Sequence, residues 1–112
     1  MDTTRQNKIA RLIQKELAEI FQREGQNLFH GMLISVTKVR VSPDLSIARV
    51  HLSVYPSEKG QEIISEIKLL HAKFRGMLGQ KVGKQLRIVP QLDFFIDDSL
   101  DYIENIDRLL KE

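Results

Sequence analysis

The stretch Leu33-Ile34-Ser35-Val36-Thr37-Lys38-Val39-Arg40-Val41-Ser42-Pro43-Asp44-Leu45-Ser46-Ile47-Ala48-Arg49-Val50-His51-Leu52-Ser53-Val54-Tyr55 decides the fold, because it reads as two strands about one tight turn. In the second half Ala48, Val50, Leu52 and Val54 alternate with Ile47, Arg49, His51, Ser53 and Tyr55. That is the period-two signature of a sheet with one buried face. The first half is less clean. Strict alternation puts Leu33, Ser35, Thr37, Val39 and Val41 on one face and Ile34, Val36, Lys38 and Arg40 on the other. Between them, Ser42-Pro43-Asp44-Leu45 has turn chemistry, with Pro43 fixing its backbone angle and Asp44 able to bond locally.

Upstream of the hairpin, residues 4–24 place Ile9, Leu12, Ile13, Leu17, Ile20 and Phe21 at spacings of three and four, one apolar stripe of an amphipathic helix. Thr3 and Gln6 have capping-box spacing, and Arg5, Lys8, Arg11 and Lys15 form a basic row beside the stripe. Gly25 and Gly31 are expected to bracket the following loop. Downstream, Ile63, Ile64, Ile67, Leu70, His71, Phe74, Met77 and Leu78 describe a long helix. Gly76, Gly79 and Gly83 weaken its second half and predict a bend or break there. Pro90 forces extended backbone before it, so Leu92, Phe94 and Ile96, alternating with Asp93, Phe95 and Asp97, give a third strand. Asp98 or Ser99 then caps a last helix with Leu100, Ile103, Ile106 and Leu110 on its apolar side.

A chain of 112 residues with 42% apolar and 29% charged side chains is one α+β domain, 1–112, and needs no staples. Three strands and long helices make two layers, with one sheet face covered and the other free. The order matches the second topological type of KH domain, a nucleic-acid-binding fold. The chain has no cysteine, no apolar signal-like start and no run of membrane-spanning length, which together suggest a soluble cytoplasmic protein.

The net charge of +2 conceals a dipolar distribution. From Lys68 to Leu92 there are six cations (Lys68, Lys73, Arg75, Lys81, Lys84, Arg87) and no acid, whereas Asp93 to Glu112 holds seven acids against Arg108 and Lys111. With the basic row on the first helix, this block points to a polyanionic partner, since Lys and Arg bind phosphates by counterion release and charge-assisted hydrogen bonds. Seven aromatic residues and no Trp argue against a stacking platform for single strands.

The string Gly76-Met77-Leu78-Gly79 has the Gly-x-x-Gly form of a KH clamp. Its apolar middle stays in phase with Leu70 and Phe74, so it reads as a helix passing through two glycines. Asp93 and Asp97 stand about 13 Å apart along a strand, too far to share a metal ion. His30, His51 and His71 lie on different elements, with His71 expected to be partly buried, and no nucleophile elbow or phosphate loop is present. No catalytic set and no metal or cofactor site is read.

Two segments, Val36 to Val50 and Gln85 to Ser99, together resemble the ribosome-binding factor A family. The first is similar to its Val-x-Val-Ser-x-Asp-Leu-x-x-Ala hairpin and the second to its Leu-Arg-x-x-Pro-x-Leu-x-Phe-x-x-Asp strand, with Leu17-Ala18-Glu19-Ile20 in the opening helix also in place. The resemblance implies a KH-like domain of the second type, with helix-strand-strand-helix-helix-strand order and a short final helix. It further implies a monomeric, non-enzymatic factor that binds the immature 30S subunit and its 16S rRNA. Such a factor supports late maturation, including processing of the rRNA 5′ end, especially in the cold. In the family an Ala-x-Gly kink separates two helices; here Ala72-Lys73-Phe74 stands in its place, leaving Gly76 or Gly79 to take that role. The RNA-binding residues expected on this reading are Arg5, Lys8, Arg11, Lys73, Arg75, Lys81, Lys84 and Arg87, with Lys73, Arg75, Lys81 and Lys84 as the main contacts. The alternatives are a general KH-like binder of single-stranded RNA or DNA and a dimerisation module using a free sheet edge or face.

Overall fold

The computed structural model describes residues 4–29, 32–55 and 57–97. Thr3, His30, Gly31 and the expected last helix lie outside them. Helix α1 spans Thr4–Leu28, strand β1 Leu33–Val41 and strand β2 Ile47–Tyr55; a 3-10 turn at Ser57–Lys59 leads into α2 (Gly60–Leu69), followed by α3 (His71–Val82) and β3 (Gln91–Ile96). The strand order is β1-β2-β3, with β1 antiparallel to β2 and β3 parallel to it. Parallel neighbours need a long crossover, which residues 56–90 supply as two helices.

The hairpin carries the one departure from strict alternation. Its register shifts between Val36 and Lys38, so Thr37 is an extra residue, a β-bulge. Beyond it the faces exchange. Val39 and Val41 thereby join Ile34 and Val36 on the side packed against the helices, instead of lying on the opposite face as alternation predicts. The turn is heavily bonded. Leu45 N–H donates to the Ser42 carbonyl at 2.9 Å, while Asp44 Oδ1 accepts from Ser42 Oγ at 2.7 Å, Ser46 Oγ at 2.8 Å and Ser46 N–H at 3.1 Å. These bonds hold Leu45 at φ 63°, a left-handed conformation that a leucine adopts only when its surroundings impose it.

The helices cover the sheet face made by Ala48, Val50, Leu52 and Val54. Phe74 is the centre of that core: its ring lies 4.7 Å from Phe21, 6.0 Å from Phe94 and 6.4 Å from Phe29, so α1, α3 and β3 meet on one buried aromatic group. Gln6 is buried as well. Its amide donates to the Val41 carbonyl at 2.9 Å and ties the start of α1 to the end of β1.

Two boundaries differ from the sequence expectation. Helix α1 runs through Gly25 to Leu28, because Phe29 N–H still donates to the Gly25 carbonyl at 3.1 Å and the Phe29 ring is buried. Gly25 serves close packing here: a Cβ on it would come within 3.2 Å of the Met32 carbonyl. The break in the long helix falls at Leu70 (φ −97°, ψ 16°), ahead of every glycine in that segment. Gly76 and Gly79 are ordinary helical positions; a Cβ at Gly76 would meet nothing, and one at Gly79 would make normal contact with Val89. The break directs α2 onto β2 and β3 and turns α3 toward α1 and β3.

Candidate nucleic-acid interface

Three segments far apart in sequence converge at one end of the molecule. The first turns of α1 contribute Arg5, Lys8 and Ile9, the hairpin turn contributes Pro43 to Ser46, and the connection from α3 to β3 contributes Gln85 to Ile88 with Pro90. Together they line a groove of about 810 Å³. Its floor is apolar: Leu86 and Pro90 are buried and Leu45 half-buried, whereas Ile88 is 69% exposed at the rim. Arg5, Lys8 and Arg87 are exposed around it. The basic row of the first helix and the last cation of the second basic block thus share one site.

Asp44 is the acid in this lining. The Ser42 hydroxyl, then the Ser46 hydroxyl and amide, hold its carboxyl below the usual carboxylate range, and the same bonds occupy Oδ1. It stays ionised and serves the turn. An anion in the groove would therefore meet three cations and one acid already hydrogen-bonded within the turn.

The other expected residues divide by their place on α3. At about 100° per residue, Phe74, Leu78 and Val82 define its buried face, with Arg75 and Lys81 on its two flanks and Lys73 pointing away. Arg75 is a tie. Its Nη2 donates to the Val89 carbonyl at 2.7 Å, and Nε lies 3.1 Å and 3.3 Å from the Val89 and Pro90 carbonyls, which fastens α3 to the start of β3. Lys81 bridges to α1 instead. Its Nζ donates to Glu19 Oε2 at 3.0 Å and lies 3.5 Å from Glu16 Oε2, raising the lysine pKa and lowering that of Glu19. Lys73 and Lys84 are exposed, and Lys84 sits next in sequence to Gln85 at the groove. Arg11 is exposed one turn along α1 from Lys8.

The structure thus gathers Arg5, Lys8 and Arg87, sets Lys84 and Arg11 beside them, leaves Lys73 apart, and uses Arg75 and Lys81 to join elements. Charge counting missed the apolar part of the groove, for which the sequence holds no signal. It also passed over Lys38, Arg40 and Arg49, which are exposed on the sheet face away from the helices and which outward alternation along the strands could have found. His71 is exposed, not partly buried, because the turn at Leu70 carries it away from the core. The Gly76 to Gly79 string lies within α3 with Leu78 fully buried, so it forms no exposed clamp loop. Among the described residues no three His, Asp or Glu side chains come together in a metal-binding group, and no helix is long and apolar enough to cross a membrane.

The family model described as Ribosome-binding factor A matches residues 5–110. The ribosome-binding factor A of Flavobacterium psychrophilum is 51% identical over 111 residues, covering 98% of this chain and 85% of that one. The crystal structure of ribosome-binding factor A from Thermus thermophilus has the same fold, with a TM-score of 0.66 at 22% identity over 81% of this chain and 94% of that one. A homology model of the Thermus thermophilus factor, fitted into a cryo-EM map of its complex with the 30S subunit, matches with a TM-score of 0.62 at 26% identity, covering 80% of this chain and 91% of that one.

Proposed function

The chain belongs to the ribosome-binding factor A family, and from that premise we propose that it binds the immature small ribosomal subunit as a single-domain, monomeric assembly factor. Its KH-like fold lacks a Gly-x-x-Gly clamp loop, so it holds RNA by another surface. That surface is the groove joining the start of α1, the hairpin turn and the connection to β3. The observation that supports this reading is the convergence of Arg5, Lys8 and Arg87 on one concavity with an apolar floor. The cations neutralise phosphates of 16S rRNA, and the exposed Ile88 with the apolar floor takes sugar or base edges. Specificity then comes from the shape of a folded rRNA junction more than from base-edge contacts. Acting in the cytoplasm, the bound factor supports late maturation, including formation of the 16S 5′ end, with the greatest demand in the cold.

Gradient co-sedimentation with immature small, mature small and large subunits over a range of salt tests the binding step. Preference for small subunits is expected, with log affinity falling by about 0.7 to 0.9 per log unit of salt for each phosphate neutralised. Equal binding to both subunits would reject the assembly-factor reading and leave a general RNA binder. The maturation step is tested separately by mapping 16S 5′ ends in depleted cells at low temperature, where unprocessed ends are expected to accumulate.

A further inference from the structure

The hairpin turn has a second concavity on its other flank. Arg40, Ser42, Pro43, Ile47 and Arg49 help to line a hollow of about 290 Å³ at the base of the turn, and Pro43 is the residue that its lining shares with the groove. The groove opens between the turn, α1 and the lead-in to β3, whereas Arg40, Ile47 and Arg49 are exposed on the sheet face away from the helices. The turn is thus a ridge between two basic walls. Arg40 stands directly opposite Arg49 across the hairpin, which sets their Cβ atoms about 5 Å apart and lets both guanidiniums reach one phosphate. Arg49 makes no ion pair with any described residue, although Asp93 is its neighbour on β3.

The ridge itself is stiff and carries the opposite charge. Beyond the bonds around Asp44, Ser42 N–H donates to the Ile47 carbonyl at 2.9 Å and Ile47 N–H donates to Ser42 Oγ at 3.1 Å. Pro43, Asp44 and Ser46 are exposed on it. The donors to Asp44 converge on Oδ1, so Oδ2 has no donor among the described residues. An ionised carboxylate repels phosphate and accepts from hydroxyl or amino groups. From one flank to the other, the surface therefore runs cation, hydrogen-bond acceptor, cation.

That order complements a duplex met from one groove, where two lines of phosphate border a floor of donors. In A-form RNA the minor groove is wide, shallow and displays the 2′-hydroxyls, while the major groove is too narrow for side chains. A single strand offers one line of phosphates and engages one flank only. Given the groove as an RNA-binding surface, we propose that the hairpin turn docks in the minor groove of an A-form RNA duplex. Arg5, Lys8 and Arg87 bind phosphates of one strand, Arg40 and Arg49 bind a phosphate of the other, and Asp44 Oδ2 accepts from a 2′-hydroxyl between them.

The test is binding of a short fluorescein-labelled RNA duplex, followed by anisotropy over a range of salt. Beside it are measured the DNA duplex of the same sequence, the 2′-O-methylated RNA duplex and one RNA strand alone. The RNA duplex is expected to bind about tenfold more tightly than the DNA and 2′-O-methyl duplexes, which lack the hydroxyl donor of the charge-assisted bond to Asp44, and more tightly than the single strand. Arg40→Gln combined with Arg49→Gln is expected to flatten the salt dependence by about 0.7 to 0.9 log units per log unit of salt, and Lys at both positions to restore it. No binding of the RNA duplex at low salt, equal binding of any of the other three probes, or a slope untouched by the double Gln variant would each overturn this docking. If Arg5→Gln, Lys8→Gln and Arg87→Gln together still flatten the slope while the Arg40 and Arg49 variant does not, the groove stands and the second flank falls. Equal sedimentation with both subunits, alongside the expected duplex results, would instead reject the assembly-factor reading and keep a binder of duplex RNA.

Discussion

Two groups of cations that residue type alone does not tell apart are placed differently by the fold. Around the groove, Arg5 and Lys8 of α1 and Arg87 of the connection to β3 line an open concavity and are exposed. Along the flanks of α3, Arg75 is bonded to the Val89 and Pro90 carbonyls and Lys81 to Glu16 and Glu19. Residue type and spacing are alike in the two groups. What separates them is whether a carbonyl or carboxylate from a neighbouring element lies within reach, so an uninterrupted basic block is not one surface once the chain folds.

The largest expected effect is on the element that carries the second group. Phe74→Ala removes the ring on which Phe21, Phe29 and Phe94 converge, and a loss of about 3 to 5 kcal/mol is expected in denaturant unfolding. If the loss is small, α3 is not fastened through its core face and the contrast fails. Neutralising the groove in a combined Arg5→Gln, Lys8→Gln, Arg87→Gln variant should leave stability within about 0.5 kcal/mol. The same variant should flatten the salt dependence of subunit binding by about two to three log units per log unit of salt. Arg75→Gln should do the reverse, costing about 1 kcal/mol by the loss of its carbonyl bonds while changing the salt slope little. A strong effect of Arg75→Gln on the slope would place that guanidinium on RNA after all.

The smallest effect separates Asp44 from the cations around it. Its folded pKa is lowered, so the stability it contributes is present above its unfolded pKa and is lost as the pH falls through the folded value. Asp44→Asn should therefore lower stability at neutral pH, and the gap from the parent should close on the acid side. A gap that stays constant with pH would mean that the carboxylate's charge does not hold the turn.

Element types and their order were legible, because the period-two pattern of β2 and β3 and the stripe of α1 have no competing reading. The bulge was not. Alternation has no means of marking one extra residue, although the division of apolar residues between the two faces of β1 is its trace. The break at Leu70 was illegible for another reason: Ile63, Ile64, Ile67, Phe74, Leu78 and Val82 keep one helical phase straight through it. Glycine propensity pointed to Gly76 and Gly79, where packing of Phe74, Leu78 and Val82 holds the helix intact. For the site, charge spacing named all three groove cations but put Arg75 and Lys81 ahead of them, since the acceptors of those two come from the loop before β3 and from α1 and leave no mark in the basic block itself.

The parallel pairing of β3 with the central strand bears on the order in which the molecule assembles. The β1–β2 hairpin closes over a few residues, whereas β3 reaches β2 only after the whole crossover of residues 56–90 has been placed, and distant contacts of that kind form late. One wall of the groove, Gln85 to Pro90, is the lead-in to that last strand. Local opening should therefore erase the groove proposed to bind RNA before it disturbs the hairpin. Amides of β3 are expected to exchange with solvent faster than those of β1 and β2, and to slow most when a subunit is bound. Occupancy by the target would then complete the fold of the domain that recognises it.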